Sequence, residues 1–186
     1  MTRFQIHASS SVVNWTGKKI LGLHTGTIQI QSGYLVFEGD TLINAALSIN
    51  MLSIQITDME DPVARQEFAS HLKHADFFDV ENFPIANWEL ETARLLERNN
   101  YLLQGRLTIK NHSHPVEFIA KVERLSDMLH SMGEMEVDRT LYNIRYGSGR
   151  FFENLGNTLI HDKFVLQFKL IGNKVNQPIY ENLESN

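Results

Sequence analysis

Apolar and polar residues alternate along much of this chain. Leu107-Thr108-Ile109-Lys110 alternates strictly, and so does Ala86-Asn87-Trp88-Glu89-Leu90-Glu91. Phe164-Val165-Leu166-Gln167-Phe168-Lys169-Leu170 alternates apart from Val165, and Val116-Glu117-Phe118 continues through Ala120 and Val122 with Ile119 as the exception. A period of two puts one face of a strand in a core and the other in water. Turn signals separate the runs: Ser32-Gly33, Glu38-Gly39-Asp40, Arg98-Asn99-Asn100, Asn111 to Pro115, and Gly172-Asn173. Several short strands with such punctuation predict an all-β fold, a barrel or sandwich with antiparallel meander connections.

One segment breaks the alternation. Asp61-Pro62 has the form of an N-cap followed by proline at the first helical position. Ala64, Phe68 and Leu72 follow at intervals of four and share one helix face. The spacing predicts a helix from Pro62 to Leu72 or Lys73, a second turn over Ala75 to Phe78, and a new strand from Pro84. Such an excursion between two strands of a barrel is a natural lid or plug. No internal repeat occurs, and Gln177 to Asn186 is a mostly polar appendage. The chain divides into a folded unit over 1–172 and a polar tail over 173–186.

Composition narrows the function. With 186 residues, 42% of them hydrophobic, the chain is one domain able to bury a core without staples. Lys+Arg is 17 against 22 Asp+Glu, a net charge of −5. That argues against nucleic acid as a partner, which needs a broad basic footprint. The absence of cysteine removes disulfides, thiolate nucleophiles and Cys-based zinc sites. The first residues lack an apolar leader pattern, so the expected location is cytoplasmic, or periplasmic if a leader has been removed. No window approaches the ~18 apolar residues of a membrane span, so no stable membrane insertion is expected.

Catalytic signals are thin. Of 8 histidines, His71 and His74 fall at i, i+3 on the expected helix, and His112 and His114 flank Ser113 in an expected turn. Neither pair has a carboxylate at a zinc-enzyme spacing, so they read as surface or turn residues, with no metal or cofactor. Ser148 in Tyr146-Gly147-Ser148-Gly149 lacks the full nucleophile-elbow pattern and reads as loop. Arg139 shares parity with Met135, Val137 and Leu141, on what looks like a core face. Either the strand's end turns it to solvent, or it is a buried pair or an arginine at a cavity end meeting an anionic headgroup. Arg145 and Arg150 offer the same role. The 11 Phe, 5 Tyr and 2 Trp could fill a barrel or line one that holds a ligand.

Several segments, in order, resemble the YceI-like family of lipocalin-like, polyisoprenoid- or lipid-binding barrels. Ser11-Val12-Val13-Asn14-Trp15-Thr16-Gly17-Lys18 and His24-Thr25-Gly26 resemble its first two strands, and Gly33, Leu35, Phe37 and Gly39 its next hairpin. His71-Leu72-Lys73, Asp76-Phe77-Phe78-Asp79 and Phe83-Pro84 resemble the signature around its helix. Gly105-Arg106-Leu107-Thr108-Ile109-Lys110 with Pro115-Val116, Val137-Asp138-Arg139-Thr140, Ile144-Arg145-Tyr146-Gly147-Ser148-Gly149 and Phe151-Phe152 complete the set. The resemblance runs from about Phe4 to Leu170. It departs at Asn111, where the family usually has glycine, and asparagine tolerates the left-handed conformation.

The resemblance implies an extended antiparallel lipocalin-like β-barrel with a helical insertion over about 62–78 and an elongated apolar cavity. Strand residues expected to face the lumen are Leu47, Ile49, Trp88, Leu107, Ile109, Phe118, Val137, Leu166 and Phe168. Trp15, Leu72, Phe77 and Phe78 line or close the mouth, and Arg139, Ile144 and Tyr146 join them from the later motifs. The function implied is non-catalytic binding or carriage of a long-chain isoprenoid, quinone-like or fatty-acyl lipid. A filled barrel acting as a structural or interaction module, and a hydrolase using His24, His71 or Arg139, are the alternatives. A homodimer is the default oligomer.

Overall fold

The computed structural model describes residues 1–175. Its strands are β1 (Thr2–Ile6), β2 (Val12–Lys19), β3 (Gly22–Glu38), β4 (Thr41–Ile56), β5 (Ile85–Leu95), β6 (Asn100–Ile109), β7 (His112–Leu125), β8 (Met128–Asp138) and β9 (Ile160–Val175). One helix, α1 (Pro62–Lys73), interrupts them between β4 and β5. Each strand from β2 to β9 pairs antiparallel with the next, and β9 returns to pair with β2. This closes an eight-strand barrel of lipocalin-like type. Strand β1 continues the line of β2 after a 3-10 turn at Ala8–Ser10, pairing with β3 on one side and β9 on the other.

The strands are longer than the turn signals suggest. Ser32-Gly33 lies inside β3, where the register against β4 shifts between Ile30 and Ser32. Ser32-Gly33 is therefore not a turn: the irregularity falls just before Ser32, and Gly33 pairs with Leu47 within the β3–β4 hairpin. Gly172-Asn173 likewise lies inside β9, which continues through Val175 and past the tail boundary at 173. The remainder of the expected tail, 176–186, lies outside the described residues. The turn expected over Asn111 to Pro115 is only Lys110-Asn111, both left-handed with φ of 50° and 60°. A two-residue loop with both residues at positive φ matches the right-handed strand twist. His112 and His114 consequently sit in β7.

The helix forms where its caps place it. The Asp61 carboxylate accepts from the Val63 amide at 3.0 Å, and Pro62 occupies the first turn. After α1, a turn over Ala75–Phe78 brings the chain back toward β5, with the Phe78 amide donating to the Leu72 carbonyl at 3.1 Å. Lys110, at the tip of the β6–β7 hairpin, donates its ammonium to the carbonyls of Ala75 (3.3 Å) and Phe77 (3.0 Å). The insertion is thus held to the rim of the barrel by a charge-assisted bond.

The barrel is packed at one end and hollow at the other. Phe4, Ile6, Leu35, Phe37, Leu42, Tyr101, Leu103 and Leu129 are all buried at the β1 end. There Phe4 meets Phe37 edge to face at 5.9 Å, and the Arg124 guanidinium lies 4.4 Å over Phe37. These side chains fill the bore as small barrels usually do. The other end, ringed by the close of β2, the start of β3, α1 and the segment between β8 and β9, remains open inside.

Candidate functional site: an apolar cavity with a polar mouth

The open end encloses a cavity of about 620 Å³. Trp15, Leu47, Ile49, Trp88, Leu107, Ile109, Phe118, Leu166 and Phe168 line it from the strands. Leu72, Phe77 and Phe78 line it from the α1 insertion, and Arg139 and Tyr146 from the connection after β8. Val137 and Ile144 lie elsewhere: each is fully buried but neither is on the cavity wall. Val137 has a short side chain, and the ring of Phe164, directly opposite on β9, reaches the cavity instead. Ile144 is held behind Arg139, its amide donating to the Arg139 carbonyl at 3.2 Å.

The cavity stays open because its largest side chains lie along the wall. Trp15 faces Gly26, Leu47 faces Gly33 and Phe168 faces Gly133 as directly opposite cross-strand residues. Residues so paired share a sheet face. A Cβ at Gly26 would meet the Trp15 ring at 2.5 Å, and one at Gly133 the Phe168 ring at 2.8 Å. Gly105 receives Trp88 similarly, with its Nε1 2.9 Å from where a Cβ would stand. Each missing side chain gives a large neighbour room to lie flat. Deep in the cavity Trp88, Phe118 and Phe168 form an aromatic floor, with ring centroids 5.4 and 5.7 Å apart.

Sequence reasoning missed further wall residues. Val13, Ala86, Phe164 and Leu170 carry the same alternating parity as the residues it named on their strands, so that signal was present, while Ile28 and Ile30 lie on β3, where it named none. Met59 and Phe68 required the docking of α1 to be known. At the mouth, His24 and His71, named only for the hydrolase alternative, join the wall together with Lys18, Lys19, Asn157, Thr158 and His161, which sequence reasoning did not place there.

Arg139 is buried at 2% exposure, so neither a solvent-facing strand end nor a free cavity-end cation describes it. Its Nη1 donates to the Ile144 carbonyl at 2.9 Å, Nη2 to Ile160 at 3.1 Å, and Nε to His161 at 3.1 Å. Asp162 lies 3.8 Å away. Burial pushes the guanidinium below its ordinary pKa, and the Asp162 and Asp138 charges oppose the shift. Arg139 therefore acts as a joint that ties the 139–144 segment to the start of β9.

Beside it, Asp138 accepts from the Thr140 amide (2.9 Å) and hydroxyl (2.6 Å), and Arg150 lies 3.4 Å away. Burial raises the Asp138 pKa, but those bonds and the Arg150 charge outweigh it and hold the carboxyl below the ordinary carboxylate range. Arg150 is engaged there and Arg145 stacks on Phe151 at 4.6 Å, so neither lines the cavity.

The histidines divide by position. His24 bonds Asp58 at 2.9 Å and packs its ring, tilted, against Phe68 at 4.6 Å, joining β3 to the helix across the mouth. His71 faces Tyr146 at 4.6 Å. His74 is exposed and pairs with Asp76 beyond the end of α1. Among the described residues no group of three or more metal-ligating side chains converges, and no helix is long and apolar enough to cross a membrane.

Several solved structures share this architecture. The chain superposes on BcnA of Burkholderia cenocepacia with a TM-score of 0.71 at 19% identity, covering 89% of this chain and 98% of that one. It matches a polyisoprenoid-binding domain from Saccharophagus degradans with a TM-score of 0.69 at 15% identity, over 92% and 98% of the two chains. The YCEI protein of Campylobacter jejuni gives 0.59 at 13% identity, over 79% and 84%. At these identities the likeness is one of fold. Among curated protein sequences there is no match. The model of the YceI-like domain matches residues 4–171, nearly the whole described barrel, and the chain is a member of that family.

Proposed function

We infer that this protein binds a long apolar lipid in the barrel, without catalysis, and carries it with the tail inward and the polar end at the mouth. The observation behind this is the cavity of about 620 Å³, walled by aliphatic and aromatic side chains and open at one polar end. Its size falls within the roughly 300–1,000 Å³ of small-molecule sites. Each methylene removed from water contributes about 0.8 kcal/mol, so such a site selects by hydrocarbon length and shape. Isoprenoid and fatty-acyl chains both fit that chemistry. The polyisoprenoid-binding description of the Saccharophagus degradans domain supports the first. Lys18, Lys19, His71 and His161 at the rim suit a polar or anionic headgroup.

Native mass spectrometry of freshly purified protein, followed by organic extraction, tests the reading. The expected result is a lipid adduct near one per chain, or its appearance when a polyprenyl or fatty-acyl lipid is added. Ala86→Phe projects a ring into the cavity from a wall position and should lower that occupancy without lowering the melting temperature. An apo mass that does not change with either lipid class would sink the proposal.

A further inference from the structure

The mouth is ringed by apolar side chains that the barrel leaves in water. The β2–β3 hairpin ends in Ile20 and Leu21, 50% and 67% exposed, with Leu23 49% exposed just beyond. Lys18 and Lys19 precede them and reach the cavity mouth. The Ile20 amide donates to the Leu159 carbonyl at 3.3 Å, and the Ile160 amide to the Gly147 carbonyl at 2.8 Å. These bonds join the hairpin tip to the loop that carries Phe151 and Phe152, exposed by 41% and 48%. Hairpin and loop thus present bulky apolar side chains at one end of the molecule, beside the opening. Exposed apolar groups clustered within a polar rim mark an interaction site.

The hairpin that carries Ile20 and Leu21 is positively charged. Trp15 to His24 contains two lysines and no carboxylate, whereas of the three arginines from Arg139 to His161, Arg139 is buried and Arg150 is paired with Asp138 and Asp162, which leaves Arg145 against Glu153. The hairpin segment is therefore basic in a chain of net charge −5. The carboxylates Asp58, Glu60 and Asp61 lie in the segment leading into α1, and Asp58 is engaged by His24. Asp162 is engaged by Arg139 and Arg150.

We propose that this end of the barrel docks on the surface of an anionic lipid bilayer. Ile20 and Leu21 enter the headgroup–acyl boundary, while Lys18 and Lys19 meet anionic headgroups. The partner is a bilayer because the apolar groups sit on a narrow hairpin tip flanked by lysines. That combination joins apolar insertion to electrostatic attraction. Docked this way, the mouth faces the membrane, and a hydrocarbon chain could pass between bilayer and barrel without crossing water. Lys18 and Lys19 also line the cavity mouth, whereas Ile20 and Leu21 do not, so the apolar pair is what separates docking from cargo binding.

Vesicle flotation tests it, with phosphatidylcholine vesicles compared with phosphatidylcholine–phosphatidylglycerol vesicles at low and high salt. Wild-type protein should float with the anionic vesicles and less so at high salt. Ile20→Ser with Leu21→Ser should weaken partitioning about tenfold or more. Lys18→Glu with Lys19→Glu should weaken it by at least about fivefold per lysine lost. Lipid occupancy of the purified Ile20→Ser, Leu21→Ser protein should be unchanged, which separates docking from cargo binding and reports an intact fold. No flotation of the wild type with either vesicle, or equal flotation of wild type and both double variants, would overturn the proposal and leave the rim as a protein-binding face.

Discussion

The indole of Trp15 lies flat against Gly26, its direct cross-strand partner, so that a Cβ on residue 26 would stand 2.5 Å from the ring. The same added atom would also run into the Gln55 carbonyl of the neighbouring strand. Gly26→Ala should therefore destabilise the barrel by about 1–3 kcal/mol, the usual cost of overpacking. A shift in the urea midpoint without a change in slope would check this. Unchanged stability would mean that Trp15 swings freely into the lumen.

Arg139 satisfies three carbonyls that the barrel end otherwise leaves facing inward. Removing a buried, hydrogen-bonded charge typically costs about 3–5 kcal/mol. Arg139→Ala should lose that much in denaturant unfolding. Arg139→Lys should recover only part of it, because an ammonium cannot reproduce the planar fork. Full stability in Arg139→Lys would refute the three-carbonyl joint.

Asp138 makes stability depend on acidity. Its folded pKa is depressed, so its contribution is complete above the unfolded carboxylate value, about 4. That contribution is lost as pH falls below this value and through the folded pKa. Asp138→Asn should be less stable than wild type at neutral pH, and the gap should narrow as pH falls below the unfolded carboxylate value, about 4. Chemical denaturation of both proteins across that range measures it. A gap constant with pH would show that the carboxylate charge contributes nothing.

The two tryptophans sit at different depths and are the only two in the chain. Trp15 lies near the mouth on β2, whereas Trp88 belongs to the aromatic floor. A fatty acid brominated at its methyl end should quench Trp88 more than Trp15, as read in Trp15→Phe and Trp88→Phe single-tryptophan proteins. Stronger quenching of Trp15 would mean that the ligand enters head first.

Much of this molecule is legible along the chain. Asp61-Pro62 and the spacing of Ala64, Phe68 and Leu72 mark α1 because caps and helical period are local properties. The alternation around Trp88, Leu107 and Phe168 marks strand faces because a strand's period is also local. From these the all-β class, the helical insertion and most inward-facing wall residues follow. What the chain could not reveal depends on partners distant in sequence. Gly33 reads as a turn until Leu47 is seen opposite it, where the missing side chain makes space and not a reversal. Val137 has the right parity but lies off the cavity wall, which Phe164 reaches from the neighbouring strand. Arg139 turns inward because carbonyls from 144, 160 and 161 converge on it across the barrel end. Whether the bore is filled or hollow is decided the same way. It is a sum over side chains and glycines brought together by closure of the barrel, and no local pattern encodes that sum.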